Sequence, residues 1–258
     1  EFFQKFNDLC QEYKAEFTTD TSPTIVNVST PSYSGTHMEG FHGAVTAAVE
    51  QLCEIAPSND SLNLLSGFIS AADIRYLKEM CEDFGIDCTL LPDFSETLDG
   101  PALDDYPLIP KGGTPLDKIK KMGGAKATIE LGFTLPDTTA GTHLEEHHKT
   151  PLTRTGLPIG LRQSDALFEI LEEVTGEKTP EKYSSCRGRL VDAMVDGHQY
   201  IFGKRAVIYG EEDLVVGLAS FLAEIGIKPV LCASGGKSGQ FQQAVNEVLE
   251  DLCEDIPK

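Results

Sequence analysis

Basic residues are scarce in this chain: 21 Lys and Arg stand against 41 Asp and Glu, a formal net charge of −20 over 258 residues. A surface of that sign repels a phosphate backbone over most of its area, so nucleic acid is not an expected partner. Long apolar runs are missing as well. No stretch approaches the roughly 20 residues that cross a bilayer, and the first ten, EFFQKFNDLC, lack the basic region and apolar core of a secretory signal. A cytoplasmic location with no membrane partner is the expectation. Neither C-x-x-C nor a zinc-ribbon spacing occurs. The seven cysteines, at 10, 53, 81, 88, 186, 232 and 253, are odd in number and scattered, unlike a secreted disulfide framework. They are expected as reduced thiols, most of them small buried apolar side chains. The chain starts at Glu1 rather than Met, so a processed product or a segment of something longer is expected.

Two nucleotide-binding patterns are also incomplete. GGKSG, residues 235–239, follows a strand and opens a helix, yet a phosphate loop needs glycine at 231, where Leu231 stands. A polar turn is expected there. In IYGEEDLVVG the G-x-G-x-x-G spacing is absent, and Glu211, Glu212 and Asp213 occupy the helix start. Acids suit that end of the helix dipole and would repel a pyrophosphate.

What is present is alternation, on a chain long enough for one large or two ordinary domains with real cores. Phe2 to about Tyr13 reads as the end of a helix, TIVNVST as a strand and FHGAVTAAVEQLCEI as a helix. SLNLLSG, SAADIRYLKEMCEDFG and IDCTLLPD then form a β-α-β unit, with Ser70 and Asp73 at the helix start and Gly85 just past its end. A second round runs TPLDKIKKMGGA, KATIELGF, TAGTHLEEHHK and an extended TPLTRTGLPIG. Residues from SDALFEIL to QYIFG give two helices joined near Gly176 to Pro180, the second carrying Leu190, Ala193, Met194, Gly197 and Ile201 on one face. KRAVIYG, EEDLVVGLASFLAEIG, IKPVLCASG and SGQFQQAVNEVLEDLC begin a further unit. Strands alternating with helices predict parallel sheets covered on both faces, an α/β architecture of flavodoxin/Rossmann-like type.

Three constellations could carry chemistry. His143 to His147 fits H-x-x-E-H, which sets two imidazoles on one helical face beside a carboxylate; with no third ligand in view, a solvated face is the expectation. His198, with Asp192, Asp196, Arg187 and Arg189 on one long helix, reads as a buried polar cluster at a domain junction. The third is the loop in VNVSTPSYSGTHMEGF, residues 27–42. Pro31 fixes its entry, Gly35 permits a bend, and Ser32, Thr36 and His37 gather at a strand's carboxyl end, where open α/β sheets bind ligands. Composition leaves a ligand site and a capped turn equally open.

This loop resembles the nitrogenase component 1 family, whose beta-type subunits, in molybdenum, vanadium and iron-only enzymes alike, carry T-P-S-aromatic-x-G-[ST]-H after a strand. Thr30, Pro31, Ser32, Tyr33, Gly35, Thr36 and His37 match it. The likeness continues through LLPDFSETLDGP, PKGGTPLDKIK, ATIELG and the run from Arg187, Gly188, Arg189 and Leu190 through His198 to Lys204, covering Thr24 to about Val230. It implies component-1-like α/β domains cut at both ends: 1–57 as the remnant of a first, cluster-bearing domain, 58–160 as the second, and 161–258 as connecting helices and the start of the third. It implies a beta-type subunit of an oxidoreductase that pairs with an alpha-type subunit, receives electrons from the iron-protein reductase, component 2, and passes them through a shared 8Fe–7S P-cluster toward dinitrogen or a similar substrate. Ser32 matches the serine whose oxygen can ligate a P-cluster iron, a hard donor suited to the oxidised metal; Tyr33 and His37 are weaker candidates beside the cofactor. The family's cluster cysteines lie upstream of this loop and have no counterpart in this chain, so the segment alone is expected to hold no cluster and to be inactive. Two alternatives remain: a scaffold subunit for assembly of the metal–sulfur cofactor, which shares the RGRLVDAM and DGH features, and a small-ligand-binding α/β module.

Overall fold

The structure is a computed structural model, and it describes residues 5, 26–29, 35–105, 107 and 111–252. Four short strands, Leu62–Leu65 (β1), Cys88–Leu91 (β2), Ala127–Leu131 (β3) and Leu152–Thr155 (β4), lie side by side in the order β2-β1-β3-β4, every neighbouring pair parallel. β1 and β3 are buried at every position, as a parallel sheet covered on both faces requires. The two-residue period divides them between two cores. Leu62 and Leu64 face helices Ala71–Asp83 (α2) and Gly160–Thr175 (α5), packing with Ile74, Leu77, Met80, Phe84, Leu167 and Leu171. Leu65 and Leu91 face the other way, against His37–Leu52 (α1), Leu116–Lys121 (α3) and Ala140–His143 (α4), through Val49, Leu52, Ile119, Met122 and Leu144.

Local chemistry sets the helix ends. Ser70 and Asp73 form a reciprocal capping box at the start of α2, and Gly85, at φ 71°, takes the left-handed position after it. The helix expected from TPLDKIKKMGGA tightens at Met122–Gly124 into a 3₁₀ turn, and that expected from TAGTHLEEHHK widens into a π-turn at Leu144–His148.

A second parallel pair follows the long helix Glu181–Ile201 (α6): Arg205–Gly210 (β5) beside Lys228–Ser234 (β6), joined by Glu212–Glu224 (α7) and followed by Phe241–Leu249 (α8). Ile208, Val215, Val216, Ala219, Val245 and Leu249 form its core. Carboxylates stitch it to the first sheet: Asp213 Oδ1 accepts from the backbone N–H of Phe133 (2.6 Å) and Thr134 (3.0 Å), and Glu224 from those of Leu161 (2.7 Å) and Arg162 (3.1 Å).

Several expectations need correction. Residues 26–29 of the expected strand TIVNVST join no ladder; the Gln51 side chain takes up the Asn27 backbone instead, at 2.8 Å for both N–H and C=O. The apolar face of α6 is largely uncovered, with Tyr183 its buried residue and Leu190, Val191 and Val195 exposed. The cluster around His198 is therefore not buried: His198 stands exposed beside Phe202, and Arg187 turns instead to Asp165. Of the five described cysteines only Cys81 is buried, and Cys186 is exposed. The expected helix of residues 2–13, apart from Lys5, and both Cys10 and Cys253 lie outside the described residues.

Candidate functional site

The segments that leave the carboxyl ends of β1, β2, β4 and β5 converge on one groove of about 1180 Å³, walled by α2, α5 and α6. This is the edge at which open parallel sheets bind ligands. Its inner surface is apolar and aromatic. Phe68 makes edge-on contacts with Phe41 at 5.4 Å and His37 at 6.2 Å, and a tilted one with Phe94 at 6.3 Å. Acids line its mouth, Asp73, Asp165, Glu172 and Glu211 among them, and Arg187 is held by a two-pronged contact to Asp165 at 2.7 Å for each nitrogen. Three of its hydroxyls are engaged: Ser70 donates to Asp73 (2.6 Å), Ser164 to the Pro158 carbonyl (3.2 Å) and Tyr183 to Asp83 (2.7 Å).

His37 reaches this groove because Thr36 stops the chain there and starts a helix, its Oγ1 accepting from the Glu39 N–H at 3.2 Å. Gly35 precedes it at φ 69°, with the Glu39 carboxylate where a β-carbon would sit. Ser32 and Tyr33 lie outside the described residues, which resume at Gly35. His143 and His147 lie elsewhere, toward the carboxyl end of α1 beside Glu50, with ring centres 4.4 Å apart.

A buried polar network beside the groove escaped the sequence reading. Glu130, at the carboxyl end of β3, is 3% exposed and accepts from Arg154 Nε (2.9 Å), its register partner on β4, and from Thr139 Oγ1 (2.8 Å). Arg154 also reaches Thr139 at 3.0 Å. His42 faces this group; burial pushes its pKa down, and the carboxylates of Glu130 and Glu211 work against that. The signal was the single charge inside ATIEL, a strand otherwise free of ionisable residues.

Iron–sulfur clusters are held by gathered thiolates, and the described cysteines do not supply them. Cys53 follows α1, Cys186 lies on α6 and Cys232 on β6. Cys81 and Cys88 do meet, and that contact together with burial pushes the Cys88 thiol up, toward its neutral form. Among the described residues no three His, Cys, Asp or Glu side chains converge as ready metal ligands.

The family model for nitrogenase component 1 type oxidoreductases matches residues 6–256. The chain belongs to that family. It is similar to nitrogenase beta chains: 33% identical to the molybdenum-iron protein beta chain of Clostridium pasteurianum over 228 residues, 88% of this chain and 50% of that one. It is 36% identical to the corresponding chain of Nostoc sp., over 85% of this chain and 43% of that one. With the vanadium-iron protein beta chain of Trichormus variabilis it shares 32%, over 82% and 45%. A solved chain described as nitrogenase Cp1 at pH 6.5 superposes with a TM-score of 0.90 at 30% identity, over 98% of this chain and 55% of its own. The component 1 fold expected from the loop at residues 27–42 and from Arg187 to Lys204 is thus the fold observed. The chain spans about half the length of the relatives it matches.

Proposed function

We propose that this chain acts as part of a beta-type subunit in a nitrogenase-like component 1, an oxidoreductase assembly in which it pairs with an alpha-type subunit and borders a P-cluster supplied with electrons by an iron-protein reductase. The observation that carries the reading is the 88% coverage by a molybdenum-iron beta chain, joined to the position of His37 and Thr36 at the carboxyl-edge groove, next to the segment that holds Ser32 and Tyr33. In this reading Ser32 is an oxygen donor toward the cluster and Tyr33 and His37 shape its surroundings, while the thiolate ligands come from outside the described residues. The chain's own work is to present that loop on a rigid helix start and to pack against the alpha-type partner; no electron-transfer step is assigned to a described cysteine.

Anaerobic co-expression with an alpha-type component 1 subunit tests it. A stable complex is expected, and, in a chain extended to the length of its relatives, iron and an electron paramagnetic resonance signal that shifts on oxidation in the parent but not in Ser32→Ala. No complex, or no iron–sulfur signal in the extended chain, overturns the proposal. A complex that carries a maturing metal–sulfur cofactor without turning over substrate assigns the chain to the assembly scaffold instead.

A further inference from the structure

The H-x-x-E-H motif takes no part in the groove, and the structure adds to it the donors that the sequence did not reveal. The His143 ring centre lies 4.4 Å from that of His147 and 5.9 Å from that of His148, and its Nδ1 stands 3.9 Å from Oε1 of Glu50, a residue of the facing helix α1. Two donors at about 2.1 Å from one tetrahedral ion are about 3.4 Å apart, and two imidazoles sharing that ion keep ring centres about 5 Å apart. The observed ring separations bracket that value, and the Glu50 to His143 distance exceeds its own by about half an ångström.

The backbone explains the gathering. Leu144–His148 is a π-turn, wider than an α-helical one, and it ends on Lys149 at φ 62°, the one non-glycine residue with positive φ among those described. Leu144 is fully buried and anchors the turn against α1. Gly123 makes room for His148, whose ring occupies the place of a β-carbon there, and Thr150 Oγ1 ties that glycine's carbonyl at 3.0 Å. His147 is exposed, which leaves a path from solvent.

We propose that His143, His147 and Glu50, with His148 as fourth donor, bind one divalent transition-metal ion of zinc-like preference. These side chains do not stand as a ready ligand set; rotation of the exposed His147 ring closes them around the ion. Three imidazoles and one carboxylate suit a borderline-soft cation over calcium or magnesium, which take oxygen shells.

Calorimetric titration of the full chain with zinc chloride at pH 7.5, after chelator treatment, tests the site. One ion per chain is expected, with a thermal shift on binding and, with cobalt in place of zinc, the intense visible absorption of tetrahedral coordination. His147→Ala, whose side chain is exposed and not needed for folding, and Glu50→Gln each weaken zinc binding at least about tenfold, the scale on which even outer-shell partners act. Absence of zinc binding by the parent overturns the proposal. So does parental affinity in both variants, or binding that survives them and disappears when the cysteines are alkylated.

Discussion

Glu130 is the residue whose placement asks most of its neighbours. A carboxylate 3% exposed inside a parallel sheet is tolerable because the adjacent strand brings Arg154 into register and Thr139 donates a hydroxyl. The two partners are unequal: the Arg154 side chain is 36% exposed and can be hydrated if left alone, whereas Glu130 cannot. Arg154→Ala is therefore expected to destabilise by about 2–3 kcal/mol, discounted from the loss of a fully buried pair, and Glu130→Gln by clearly less. Urea unfolding of both variants checks the order; equal losses would mean that Arg154 is not what compensates the buried charge. His42 gives a pH signature in the same network. Its folded pKa lies below the ordinary histidine value of about 6.5, so as pH falls past that value the unfolded chain takes up a proton before the folded one does. The stability it contributes is full above pH 6.5 and declines below. His42→Gln should flatten the fall in urea midpoint between pH 7.5 and 5.5, leaving the smaller slope due to His143, whose pKa is shifted the same way. An unchanged slope would remove His42 from the account.

At the scale of elements, the signals that proved legible were those complete within a few residues. Ser70 with Asp73, Gly85 after α2 and the acidic start of α7 are local hydrogen-bond chemistry, and each appears where the sequence put it. Ser70→Ala removes both halves of a capping box and should cost about 1 kcal/mol, read as a lower thermal midpoint with the helical circular dichroism retained. What failed depended on a partner distant in sequence. The β-branched run at 24–30 satisfies every local rule for a strand, yet residues 26–29 pair with no strand because Gln51 holds the Asn27 backbone. The apolar stripe on α6 was visible, but periodicity cannot say whether anything covers it, and Leu190 and Val195 stand exposed. H-x-x-E-H looked one ligand short because Glu50 lies nearly a hundred residues earlier, on a helix that only the fold brings alongside. The groove follows the same logic. Its position at the carboxyl edge follows from parallel topology, while its walls come from α2, α5 and α6, which no local pattern could have brought together.

For the molecule as a whole, two parallel sheets that share no strand must be held to one another by something other than a ladder. The sequence of α7 answers this with acids. α5 begins at Gly160 with no side-chain cap of its own, and its free N–H groups at Leu161 and Arg162 are taken by Glu224, from the end of α7. At the other end of the same helix Asp213 takes the N–H groups of Phe133 and Thr134 in the loop leaving β3. That carboxylate is buried, which raises its pKa, and the two backbone donors oppose the rise. Between them Gly217 lets α7 approach Ile159 closely, with 2.9 Å from its would-be β-carbon to Ile159 Cδ1. One helix thus couples the units at both ends, each carboxylate satisfying donors that no local group reaches. Replacing one by alanine leaves two N–H groups unpaired, a loss of about 1–3 kcal/mol, smaller at Glu224, where the Arg162 donor is exposed. Because both losses fall on the junction and spare each core, the Asp213→Ala, Glu224→Ala double variant should do more than unfold earlier: its calorimetric transition should split, with amides of β5, β6 and α8 exchanging hydrogen before those of β1 and β3. A single transition with exchange spread evenly over both sheets would show instead that apolar packing around Ile159 and Gly217 is enough to keep the two units one cooperative body.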